Sequence, residues 1–260
     1  MLRSVNSMIG YSILARDGEL GKVGEFVFEN KVWTIRYFVV EAGGWLSSRK
    51  VLISPIALGK LDWQLQTFLV NLTIEQIRNS PEIDTEKPVS RQLEADLFKH
   101  YQWPVYWGNG FLMGSMSGMD SNSLDIHERI ESKENSIAQQ NEDNLHLHGT
   151  HTVMSIHAVD GEIGHVEDYI VNSESWAITF LVVNTANWLP GKKVLISPQL
   201  INHLDLANKA IFVNLMKEVV ENSQEFDPTQ LVNTVHEDHL YDYYGRPRVD
   251  PVARQKLFGF

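Results

Sequence analysis

Cysteine is absent from the 260 residues. That excludes disulfides, thiolate metal ligands and a cysteine nucleophile. It also fits a reducing compartment, so the cytoplasm is the expected location. No run of 18 uninterrupted apolar residues occurs, and no transmembrane helix is expected. The opening stretch MLRSVNSMIGYSILARDGELG is broken early by Arg16 and Asp17 and has no long apolar core, so it does not read as a signal peptide. Basic charge is scarce as well. The net charge is -11, and residues 1–107 carry 12 basic and 12 acidic side chains, 108–150 carry 2 and 7, and 151–260 carry 8 and 14. Neither half has the basic excess that a phosphate backbone or an anionic membrane surface selects. Nucleic-acid binding and membrane insertion are therefore not expected, while peripheral membrane contact stays open.

What the chain does have is a repeat. KVLISP at Lys50–Pro55 returns at Lys193–Pro198, 143 positions later. In that register the residues from Ile13 to Pro104 lie over Ile156 to Pro247 without a gap, and about a third of the paired positions are identical. A period this long means two copies of a domain rather than a solenoid. Asp17-Gly18 and Asp160-Gly161 are hairpin turn signals. Gly21 and Gly164 suggest a bulge or a close backbone approach. Trp33, Ile35, Tyr37 and Val39 alternate, with Trp176, Ile178, Phe180 and Val182 as their counterparts. Thr34, Arg36 and Thr179 point the other way, which predicts half-buried antiparallel strands. Val51–Ile53 and Val194–Ile196 are short strands closed by Ser-Pro, and Phe68–Leu72 and Ile211–Leu215 make one more strand in each copy.

Helices come late in each copy. Short ones are predicted near Thr73–Asn79 and Met216–Asn222. A second helix is predicted to start after an N-cap at Ser90, with Asn233 as its counterpart. Val89, Leu93, Leu97 and Tyr101 lie on the first copy's helix face, and Val232, His236, Leu240 and Tyr244 on the second's. Between the copies, residues rich in Gly, Ser, Asn and acids read as a linker. The expected organisation is mainly β: a barrel domain over 1–107, a flexible acidic linker over 108–150 and a second barrel over 151–260. Each barrel of about 90 residues is marginal alone. The two are expected to pack together, and further homo-oligomerisation stays open.

The segments DGELGKVGEFVF and DGEIGHVEDYIV, followed by WTIRYFVV and WAITFLVV and then by KVLISP twice, resemble PRC-barrel domains. This is the six-stranded β-barrel of the photosynthetic reaction centre H subunit and of the C-terminal domain of the 16S rRNA-processing factor. The resemblance covers Met8 to about Trp107 and about Thr152 to Pro247. It implies two tandem barrels related by a pseudo-two-fold, binding a protein partner or covering a membrane complex. It supplies no catalytic residue and no cofactor.

Candidate chemistry is sparse. GSMSG at 114–118 has Met116 where a nucleophile elbow needs serine. His146, His148 and His151 have spacings a metal could use, with His157 and His165 downstream, and His236 and His239 form a second weak pair. The favoured reading of both groups is a polar surface. Asp17, Glu19, Asp160 and Glu162 read as turn chemistry rather than paired acid–base groups. Trp33 and Trp176 read as core. Trp45 and Trp188 sit in loops beside Arg49-Lys50 and Lys192-Lys193, which makes these six residues candidates for an interface with a partner or between the barrels. The function expected is that of a non-catalytic adaptor for a protein partner. The alternative is a metal- or small-ligand-binding stress or sensor protein using the histidine-rich second half.

Overall fold

The structure is a computed structural model. It describes residues 1–43, 49–83, 89–104, 147–185, 191–228 and 234–245; for 147, 148 and 234–238 only the backbone is described. The first copy contains β1 (Leu2–Ser4), β2 (Ser12–Ala15), β3 (Gly18–Glu29), β4 (Thr34–Ala42), β5 (Lys50–Ile53), β6 (Leu58–Asp62), β7 (Thr67–Val70), α1 (Ile74–Arg78) and α2 (Arg91–Tyr101). The second contains β8 (Leu147–Gly149), β9 (Ser155–Ala158), β10 (Gly161–Asn172), β11 (Ile178–Asn184), β12 (Lys193–Ile196), β13 (Ile201–Asp205), β14 (Ala210–Val213), α3 (Lys217–Glu221) and α4 (Thr234–Tyr243). The strand orders are β5-β4-β3-β2-β7-β6 and β12-β11-β10-β9-β14-β13, the same path twice. The fold is a duplicated, mainly β architecture.

The local causes are also duplicated. At Gly21 and Gly164 a Cβ would lie 2.0 Å from the carbonyl oxygens of Glu41 and Asn184, so only glycine lets β3 and β10 approach their neighbours. The ladder slips beside each, between Ile13 and Leu14 and between Glu162 and Gly164. Ser54-Pro55 and Ser197-Pro198 turn the chain through a 3-10 corner, each serine Oγ accepting from the amide two residues on. Among the described residues four of the five left-handed non-glycine residues form pairs 143 apart, Trp33 with Trp176 and Gln66 with Lys209; the fifth, Gln102, has left-handed Gly245 as its counterpart. Ser90 caps α2 by accepting from the Leu93 amide, as predicted. Asn233 lies outside the described residues.

Three expectations change. First, β4 and β11 are buried on both faces rather than one. Leu181 and Val183 join the main core, whereas Phe180 and Val182 pack under Leu240 and Tyr241 of α4. Arg36 and Thr179, expected at the solvent face, are buried. Arg36 is tolerated there because its guanidinium donates to the Glu29 carboxylate at 2.7 Å through Nε. Second, the stretch read as linker ends in a strand, Leu147–Gly149. Third, Trp33 and Trp176 precede their strands and sit in left-handed turns, with φ of 50° and 59°.

The two sheets also trade strands. β1 pairs with β10 of the second copy, Arg3 opposite Val171, and β8 pairs with β3 of the first, His148 opposite Phe28. The crossing continues symmetrically: the Val5 amide donates to the Tyr169 carbonyl and the Thr150 amide to the Phe26 carbonyl, both at 2.9 Å, and Phe26 and Tyr169 are themselves 143 apart.

Candidate functional site

The hairpin tips before β4 and β11 meet at the pseudo-two-fold. Thr34 bridges Ala177, the Ile35 amide donates to the Trp176 carbonyl at 2.9 Å, and the Ile178 amide donates to the Trp33 carbonyl at 2.6 Å. This antiparallel contact carries the Trp176 indole across the boundary. Trp176 of the second copy lies among first-copy rings, 4.8 Å from Phe38, 6.1 Å from Phe68 and 6.5 Å from Phe26 between centroids. Trp33 stacks on Phe28 at 5.3 Å, and Phe28 in turn meets Tyr169 of the second copy at 5.2 Å. One core therefore runs through both barrels. The seam is closed by strand exchange, backbone bonds and indoles together.

The crossing arms are held by equivalent acids. Asp168 accepts from the Ser4 hydroxyl and from the Asn6 amide at 3.0 Å, and Glu25 accepts from the His151 amide at 3.3 Å. Burial pushes the Asp168 carboxyl above its usual range, and the hydrogen bonds from Ser4, Asn6 and Tyr169 offset this only in part. Arg3 on β1 places its guanidinium 4.6 Å from the Trp63 ring centroid, tying the arm back to its own copy.

Most of the predicted site residues serve the fold. The Asp17 and Asp160 carboxylates accept from the first amides of α1 and α3, those of Ile74 and Lys217, at 2.8 and 2.9 Å. Arg49 and Lys192, also 143 apart, donate to carbonyls at the other ends of the same helices: Arg49 to Arg78 at 2.7 Å and to Ser80, and Lys192 to Glu221. Lys193 pairs with Glu167, whose carboxyl it holds below the ordinary range. Lys50 is exposed. Trp45, Trp188 and His146 lie outside the described residues, as do 114–118, and so do the side chains of His148 and His236. His151, in the turn after β8, and His239, on α4, are both exposed. Among the described residues no three His, Cys, Asp or Glu side chains converge as a metal set.

Among the described residues, a surface that the sequence reading passed over is left open. α2 and α4 cover one side of β4 and β11, whereas the outward faces of β2–β7–β6 and β9–β14–β13 expose apolar side chains. Their central residues, Leu69 and Phe212, are 37% and 36% exposed and stand 143 apart. In the second copy three rings line up across the strands: His157 and Phe212 at 5.1 Å, then Phe212 and His203 at 5.8 Å, with interplanar angles of 24° and 29°. The Ser155 hydroxyl lies 3.0 Å from His157 Nε2. The first copy has Leu14, Leu69 and Lys60 at these places. The available signal was an apolar residue in each copy at an outward position of the last strand.

The described residues contain no helix long and apolar enough to cross a membrane. A protein of Deinococcus radiodurans described as uncharacterized is 25% identical over 177 residues, covering 62% of this chain. The match spans 64% of that protein's length, less than two thirds. The family model described as PRC-barrel domain matches residues 2–64, so a PRC-barrel domain is present in the first copy, from the exchanged β1 through the β6 edge.

Proposed function

We propose that the protein is a non-catalytic adaptor of the cytoplasm, built from a duplicated PRC-type barrel, that docks a protein partner on its uncovered sheet faces. The observation that carries this reading is the pair of exposed apolar residues at equivalent points of the two copies, Leu69 and Phe212. The duplicated ionisable groups point the same way: Asp17, Asp160, Arg49 and Lys192 are engaged in holding α1 and α3. The PRC-barrel match is compatible with an interaction role. An apolar centre with a polar surround is the usual anatomy of a docking patch.

The test is capture of partners from native lysate by the tagged full chain, beside Leu69→Glu and Phe212→Glu variants whose folding is checked by circular dichroism. The expected result is that a protein captured by the wild type is lost from at least one of the variants. A capture set that both substitutions leave unchanged overturns the reading. The His157–Phe212–His203 row supports a second reading, in which the face takes a metal or a small aromatic ligand. Stoichiometric zinc or nickel in elemental analysis of the purified protein would favour it.

A further inference from the structure

The seam has the properties of an isologous interface between two molecules, although both sides belong to one chain. Each half lends a short strand to the other's sheet, β1 to β10 and β8 to β3. The halves trade backbone bonds through Trp33 and Trp176, and Val5 and Met8 in the crossing arm are fully buried. Each side is built from equivalent elements of the duplicated fold, and every chain carries both sides, so the seam does not distinguish its own other half from that of another copy. The connection between Pro104 and Leu147 is 42 residues, a contour of at most ~140 Å, which does not force closure within one chain.

We infer that the seam is a recognition surface for a second copy of this chain: dilute chains close on themselves, and concentrated chains exchange halves. Every contact made in the closed chain is available in the exchanged pair. The balance is set by the effective concentration of the tethered half, on the order of millimolar for a short tether. Below that concentration the closed form dominates. Near it, two chains that fold together trap one another, and separating them requires both sheets to open.

The experiment refolds full-length chain from denaturant at ~1 µM and at ~1 mM, spanning that effective concentration. The products are sized and weighed by native mass spectrometry. Monomer of 29.7 kDa is expected at the low concentration. At the high one, on the order of tens of per cent should appear as a dimer that survives dilution. A site-specific protease sequence inserted after Gly118 then separates exchange from surface association. Cutting the connections of an exchanged dimer should release species of one chain mass. When labelled and unlabelled chains are refolded together, these should pair halves from different chains. Monomer at every refolding concentration overturns the inference. So does a dimer that keeps its doubled mass after cutting, and so do halves that separate at micromolar concentration.

Discussion

Trp176→Ala should damage the barrel to which Trp176 does not belong. The indole is 6% exposed and lies among Phe26, Phe38 and Phe68 of the first copy. Burying a tryptophan removes ~150–250 Å² from water, an upper bound of ~4–6 kcal/mol at 25 cal/mol/Å². Large aromatic truncations in cores cost ~3–5 kcal/mol once partial relaxation is included. Alanine keeps the left-handed turn at φ 59° and so relieves no backbone strain. Trp176→Gly should be the milder change, by up to ~1 kcal/mol. Since a domain of this kind has only ~5–15 kcal/mol of total stability, the alanine variant should be close to unfolding. Urea unfolding followed by circular dichroism gives the loss, and hydrogen exchange locates it. Peptides carrying Phe26, Phe38 and Phe68 should lose protection. A loss below ~1 kcal/mol, or loosening confined to residues 147–245, would refute the claim that the indole props up the first barrel.

Three further outcomes follow from buried polar groups. Glu94 is fully buried, accepting from the Tyr37 hydroxyl at 2.7 Å and pairing with Arg91 at 2.8 Å; Glu94→Ala should cost ~3–5 kcal/mol in urea unfolding, and Tyr37→Phe only ~1 kcal/mol. The Tyr169 hydroxyl is buried without a hydrogen-bond partner among the described residues, and burial pushes its pKa far up. Tyr169→Phe, which installs a ring like that of its counterpart Phe26, should raise stability by ~1 kcal/mol in the same assay. The folded state holds the Asp168 proton more tightly than the unfolded chain, so that contribution is complete below pH 3.8 and is lost as pH rises through the higher folded value. Urea midpoints of wild type and Asp168→Asn, compared across that interval, should diverge at its upper end in the variant's favour; parallel profiles would contradict the burial of this carboxyl.

Much of the fold was legible because its causes are local. Gly21 and Gly164, the Ser-Pro corners and the Ser90 cap each act within a few residues, where composition and spacing carry the information. Strand exchange is not local. Leu2–Ser4 would present a short strand to either sheet, and nothing in its sequence says which sheet it joins. The two-sided burial of β4 had a signal that went unused. Phe38 and Val40 fall on the face that Arg36 and Thr34 were taken to make polar, and Glu29 stands opposite Thr34 across the hairpin, within reach of Arg36. Trp176 was legible as core but not as the other copy's core, because it sits in a left-handed turn before its strand, where strand alternation says nothing of direction.

The positions where the copies differ show which parts of the site are free to vary. Some positions keep one residue in both copies, as at Trp33 and Trp176 in the seam and at Gly21 and Gly164 under their neighbouring carbonyls. Under the long helices the demands already part: Tyr37 meets the carboxylate of Glu94, whereas Phe180 meets the Tyr241 ring at 5.6 Å. On the open faces they part most, with Leu14, Leu69 and Lys60 against His157, Phe212 and His203. Core geometry does not drive that last divergence, because these side chains stand on the outward sides of their strands. A single docking surface used identically by both barrels would keep one chemistry on both faces. Two chemistries on one scaffold favour two unlike contacts, one aliphatic and one aromatic with titratable neighbours, on a partner or pair of partners. Capture that is lost with Phe212→Glu but retained with Leu69→Glu, or the reverse, is the expected signature of that division, and equal loss from both substitutions would argue for one contact spanning both faces.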